Sequence, residues 1–121
     1  MRDGDPDVTD RIGALPSPPA LSILTRVELE GAVARHPAES EVHRANIDAL
    51  VSRLAVFPFD DRCADCYSRI VVAAGWSRTR IFDRMIAATA IANDRTLITM
   101  NGRDFSDIPG LSLQVWPSPA A

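Results

Sequence analysis

Lysine is absent from this chain of 121 residues: all 13 basic side chains are Arg. That excludes a P-loop lysine, a Schiff-base lysine and a lysine general base. No G-x-S-x-G, G-x-G-x-x-G or H-E-x-x-H occurs, so a serine-hydrolase elbow, a dinucleotide fingerprint and a zincin are unsupported. Cysteine is scarce, with two residues in a domain-sized chain, too few for a disulfide scaffold. No apolar run reaches the length of a membrane span, and the opening MRDGDPD is not a signal peptide, so the expected compartment is the cytoplasm.

What is there fits one globular domain, at 46% hydrophobic and 24% charged residues. The net charge of −3 excludes a uniformly basic coat but not a local basic face. Residues 62–103 hold seven Arg against three acids (Asp65, Asp83, Asp94), a net of +4 that leaves −7 elsewhere. A basic half on an acidic chain is compatible with a polyanionic substrate; by charge alone a solvated helix face is the stronger reading.

Short apolar strands alternate with amphipathic helices, which predicts an α/β domain with a mostly parallel, twisted sheet flanked by helices. The expected helices are Pro6 to Leu15, Thr25 to Arg35, Glu39 to Leu54, Asp60 to Ala74 and Ile81 to Asn93. In the third of these, residues 42, 45, 49, 50 and 54 carry the apolar period. The expected strands are Ala20 to Leu24, Ala55 to Phe59, Thr96 to Met100 and Leu113 to Trp116. The domain is expected to span residues 1–116, with 117–121 as a loose tail.

In parallel sheets, ligands sit at the carboxyl ends of strands. Glu28 follows the strand ALSIL, Asp104 follows TLITM, and Asp83 opens the helix that feeds TLITM. Three carboxylates on one rim would repel, and a hard divalent cation relieves that repulsion. Mg²⁺ or Mn²⁺ suits oxygen ligands with open water positions, and such a site can generate hydroxide for phosphoryl chemistry. Each acid also has a plainer reading. Thr25-x-x-Glu28 is a capping box, and from the motif alone that is the stronger reading. Asp83 suits a helix start, although Ala87, Ala88 and Ala90 predict a close approach that would set it deep. Asp104 suits a turn.

Lesser signals complete the inventory. Asp3-x-Asp5-x-Asp7 fails as a calcium loop, because Pro6 interrupts it and Ala14 stands at the twelfth position. Cys63-Ala-Asp-Cys66 with His36 and His43 is a nominal zinc set, or a redox dithiol, but helix-face cysteines half-buried in a core are the better reading. Trp76 precedes Arg78 and Arg80 in the loop before Asp83, and with Arg84 and Arg103 these are placed to contact the phosphates of a polyanionic substrate if the acidic rim is the site. Surface arginines with one Trp packed on the core explain the same residues equally well.

The segment Asp83-Arg-Met-Ile-Ala-Ala-Thr-Ala, followed by Thr99-Met-Asn101-Gly-Arg-Asp104-Phe105, resembles the C-terminal half of a PIN domain of the VapC toxin type. That family reads D-x-x-I-A-A-x-A and then T-x-N-x-x-D-F. Leu24-Thr25-Arg-Val-Glu28-Leu-Glu-Gly31 resembles its earlier I-T-x-x-E-L-x-x-G element, with Gly31 one place early. The resemblance implies a metal-dependent endoribonuclease, the toxin of a type II toxin–antitoxin pair, which usually dimerises and is silenced by a cognate antitoxin. By match, Glu28, Asp83 and Asp104 are the catalytic and metal-binding acids, with Thr99 and Asn101 as polar supports near phosphate or metal. The family pattern opens with a strand ending in Asp, typically in L-D-T-N, and no such strand is read here. Asp3, Asp5 and Asp7 lie in the wrong place to take that role. The departure implies a start set too far downstream, and for the chain as it stands weak folding and poor metal binding. The alternative expectation is an inactive remnant that still binds an antitoxin or a second subunit.

Overall fold

The computed structural model describes residues 20–99 and 101–115. The expected first helix, the tail 117–121 and the acids at 3, 5 and 7 lie outside that range.

The described chain begins with strand β1 (Ala20–Ser22), helix α1 (Ile23–Arg35), a 3₁₀ turn at Pro37–Glu39, helix α2 (Ser40–Arg53) and strand β2 (Ala55–Phe57). Helix α3 (Asp61–Ala74), a 3₁₀ turn at Arg78–Arg80 and helix α4 (Ile81–Ala92) follow. Strand β3 (Leu97–Thr99), a 3₁₀ turn at Gly102–Phe105 and strand β4 (Leu113–Val115) complete it. The strands form two parallel pairs, β1 with β2 in the register Ala20–Ala55 and β3 with β4 in the register Leu97–Leu113. The expected α/β class with parallel pairing therefore holds, in strands shorter than the apolar runs.

The first strand is the clearest shortening. Ser22, the last residue of the strand, also caps α1, its hydroxyl accepting from the Leu24 amide at 3.0 Å. The helix thus starts two residues before Thr25, so Thr25 and Glu28 are interior to it and form no capping box. Helix α2 also differs from its apolar period. Ile47 is buried, with His43, Arg44 and Val51 half-buried beside it, while Val42, Ala45 and Ala49 face solvent. The reason is an ion pair across the hairpin: Arg44 donates to both carboxylate oxygens of Glu30 on α1, which turns the 43–44–47–51 stripe inward.

The second half follows its sequence closely. Asp60 caps α3 by accepting from the Cys63 amide at 3.1 Å, and this bond holds its carboxyl below the ordinary carboxylate range. Cys63, Cys66 and Ile70 bury one stripe of the helix. Gly75 ends α3 at φ 89°, a left-handed turn that a side chain would strain. Helix α4 is buried along Ala87, Ala88, Thr89 and Ala90, whose small side chains let it pack closely on α3. The core joins Cys66 and Ile70 to Ala87, Ala88, Phe105 and Ile108, with Phe59, Tyr67 and Leu97 at its margin.

Candidate active site

The candidate site is built by two turns. Asp83 lies in the first turn of α4, where a carboxylate is favoured by the helix dipole. Asp104 lies in the 3₁₀ turn that leaves the carboxyl end of β3, anchored by its buried neighbour Phe105. The anchor needs Gly102, since a Cβ there would stand 2.5 Å from a Val115 methyl on β4. The two carboxylates feel each other. Burial pushes the Asp83 carboxyl above its ordinary range, the charge of Asp104 pushes it further, and Arg80 partly offsets both.

Thr99 and Asn101 act on Asp104. The Asn101 amide side chain donates to Asp104 Oδ2 at 2.6 Å. The Asn101 backbone N–H donates to the Thr99 hydroxyl at 3.0 Å, which fixes the turn from which that amide reaches. The T-x-N-x-x-D spacing is thus a hydrogen-bonded turn that presents one aspartate.

Glu28 is an exposed residue of α1. Among the described residues no three His, Cys, Asp or Glu side chains stand together closely enough to hold a metal ion. Asp83 feels the charge of Asp104, and Glu28 is not among the groups that shift it.

The four arginines divide. Arg78 and Arg103 are exposed and have no acidic partner among the described residues. Arg80 lies 3.8 Å from Asp107 while its charge reaches Asp83. Arg84 departs from the expectation of an RNA contact, because it is 3% exposed. Its Nη1 donates to the Gly75 carbonyl and its Nη2 to Asp107 at 3.3 Å, while Nε is buried without a partner. A guanidinium turned inward in this way fastens the 75–80 loop and the 105–108 turn to α4 and leaves nothing for a phosphate. Asp107 carries no motif of its own in the sequence. Its signal was Arg84 itself, a cation inside an apolar helix segment, which requires an acid nearby.

Trp76 is 65% exposed and does not pack on the core. The cysteines do: both are free and buried, and burial pushes the Cys63 thiol up. A raised, inaccessible thiol is a poor metal ligand and a poor nucleophile, so the zinc and redox readings find no support. Among the described residues no helix is long and apolar enough to cross a membrane.

Comparison with known proteins agrees on one family. The PIN domain model matches residues 3–111. Ribonuclease VapC2 of Rickettsia felis is 30% identical over 99 residues, covering 80% of this chain and 73% of that protein. Among solved structures, VapBC2 from Rickettsia felis bound to a DNA fragment from its promoter aligns with a TM-score of 0.77 at 26% identity, over 95% of this chain and 86% of that one. DNA-bound VapBC from Salmonella typhimurium aligns with a TM-score of 0.79 at 24% identity, over 94% and 87%, a likeness of fold.

Proposed function

The chain belongs to the PIN domain family, and from that membership we propose that it is a metal-dependent endoribonuclease, the toxin of a type II toxin–antitoxin pair. The observation that carries the reading is the Asp83–Asp104 pair, in which burial and then the charge of Asp104 raise the Asp83 carboxyl while Asn101 donates to Asp104. Two adjoining carboxylates repel each other, and a hard divalent cation turns that repulsion into coordination. Magnesium typically takes one or two protein carboxylates and completes its shell with water and phosphate oxygens, so this donor set fits Mg²⁺ or Mn²⁺. When bound, such an ion lowers the pKa of water and stabilises charge on a phosphoryl group.

The chain's own residues supply the rest. Asn101 holds Asp104 in one orientation through its amide donor. The charge of Arg80 opposes the upward push on the Asp83 carboxyl. Arg78 and Arg103, free of acidic partners among the described residues, are suited to the phosphates on either side of a scissile bond. Glu28, exposed on α1, is the third proposed acid, and Glu28→Gln tests its contribution separately.

The partners follow from the same relatives. VapBC2 from Rickettsia felis is a complex, which supports a cognate antitoxin as the proposed protein partner; a homodimer and a cytoplasmic location are proposed from family membership alone. One observation favours a second reading, an inactive remnant that keeps its partner surface: among the described residues only two acids converge.

The test is cleavage of single-stranded RNA by the purified chain with Mg²⁺ or Mn²⁺, against chelator. Cleavage that chelator stops, and that Asp83→Asn and Asp104→Asn each reduce at least about a hundredfold, is the expected result. Full activity in Asp83→Asn overturns the assignment. Antitoxin binding without cleavage by the wild-type chain decides for the remnant.

A further inference from the structure

Trp76 is 65% exposed and so contributes little to the core, and it stands in the segment that leads from α3 into the helix of Asp83. Its position is nevertheless fixed. It follows Gly75, whose left-handed turn ends α3 and whose carbonyl is held by the buried Arg84. Arg84 is the chain neighbour of Asp83, so the clamp that sets the start of the loop belongs to the same helical turn as the candidate site. On the far side of the loop, Arg80 reaches both Asp107 and the field of Asp83. The 75–80 segment is thus tied at both ends to the turns that carry the acids.

The surroundings indicate what the ring is for. Arg78 lies two residues on in the same loop, and Arg103 stands beside Asp104. Both are exposed, and neither has an acidic partner among the described residues. An exposed indole in one loop with an exposed guanidinium that has no acidic partner among the described residues is a combination by which proteins hold single strands, with cations on the phosphates and a ring against a base. Duplex nucleic acid keeps its bases stacked on one another and offers no free face.

We infer that Trp76 is a stacking platform for one unpaired nucleobase of the RNA, close to the phosphate presented to Asp83 and Asp104. The inference rests on the ribonuclease reading for its ligand and adds the requirement for a single-stranded site with a base at one defined position. Arg84 is a positioning residue in this arrangement: it touches no RNA and holds the backbone from which the indole projects.

The experiment measures binding apart from cleavage. Wild type, Trp76→Ala, Trp76→Phe and Val42→Ala, an exposed apolar control on α2, are titrated by anisotropy with a labelled single-stranded oligoribonucleotide in chelator. The same RNA is then used as a duplex, and with a single abasic nucleotide moved along the strand. The expected result is an affinity loss of about five- to a hundredfold for Trp76→Ala, with most of it recovered in Trp76→Phe and none in the control. The wild type should prefer the single strand, and one abasic position should bring wild type and Trp76→Ala to the same affinity. Equal binding by wild type and Trp76→Ala overturns the platform, as does a loss that persists at every abasic position. A changed oligomeric mass or antitoxin affinity with unchanged RNA binding overturns it in favour of a protein contact. Cleavage assayed separately with Mg²⁺ or Mn²⁺ separates the two readings. Intact cleavage with an indifferent Trp76 removes only the platform. The full Trp76 binding pattern without cleavage removes only the catalytic reading.

Discussion

The α1–α2 pair and the α3–α4 pair are both helices in contact, but they are held together by different physics. Between α3 and α4 lie buried small and apolar groups: Cys66 and Ile70 on one side, Ala87 and Ala88 on the other, closed by Phe105 and Ile108. Between α1 and α2 the described contacts include a half-exposed ion pair, Glu30 with Arg44, while Leu24 and Ile47 are the buried apolar residues of those helices. Val27 and Val42 on the hairpin face solvent. Burial of apolar area gives rigidity, whereas an exposed ion pair fixes geometry with little stability. The candidate acids Asp83 and Asp104 both grow from the rigid half. A site whose two carboxylates repel needs such a frame, because a softer one would let them drift apart.

The sharpest way to test that contrast is to make one substitution in both halves. Ala88 is fully buried between α3 and α4, and Ala45 is exposed on α2. Ala88→Leu adds three heavy atoms to a filled interface and should cost roughly 3 kcal/mol. That corresponds to a fall of about 12 °C or more in Tm. Ala45→Leu should shift Tm little, staying within about 0.5 kcal/mol. Calorimetry of the two variants checks both, and similar losses would erase the distinction between the halves.

The next effect in size concerns the clamp beneath the site. Asp107→Ala leaves the buried Arg84 guanidinium with the Gly75 carbonyl as its remaining hydrogen-bond partner. A hydrogen bond between charged groups contributes about 1.5–3 kcal/mol, and the exposure of Asp107 places the loss at the lower end, about 1–2 kcal/mol. Denaturant unfolding measures it. Asp107→Asn, which keeps an acceptor oxygen, should recover part of the loss, and no change in either variant would show that Arg84 does not need its acid.

The same contrast explains what could be read from the sequence. Helix α3 is legible almost to the residue, because a capping Asp60 and a terminating Gly75 bracket a clean apolar stripe. The turn carrying Asp104 is legible because T-x-N-x-x-D is a local hydrogen-bonding pattern. The hairpin is less legible. Ser22 caps α1 from within what reads as an apolar strand, and the inward face of α2 is chosen by Arg44 reaching a residue 14 positions earlier. Arg84 is the instructive error. Beside Asp83 in a basic segment it reads as a phosphate contact, and its true orientation depends on Asp107, 23 residues away. Local chemistry is visible in a sequence, whereas the partner that decides between burial and exposure is not when it is distant.

The smallest expected effect lies in the hairpin and carries a pH signature. Hydrogen bonding to Arg44 holds the Glu30 carboxyl below its ordinary range, with the charges of Arg44 and Arg26 assisting. A carboxyl depressed in the folded state binds fewer protons there than in the unfolded chain. Its stabilisation is complete above the ordinary glutamate pKa and is lost as pH falls through the lower folded value. Glu30→Gln should therefore lower Tm slightly at neutral pH and not at all at the acid end of that window. The difference should shrink as salt is added, since both partners are open to solvent. A difference that persists in acid or resists salt would mean that the hairpin is held by a buried contact of Glu30 rather than by the ion pair, and the two halves would then be less unlike than their cores make them.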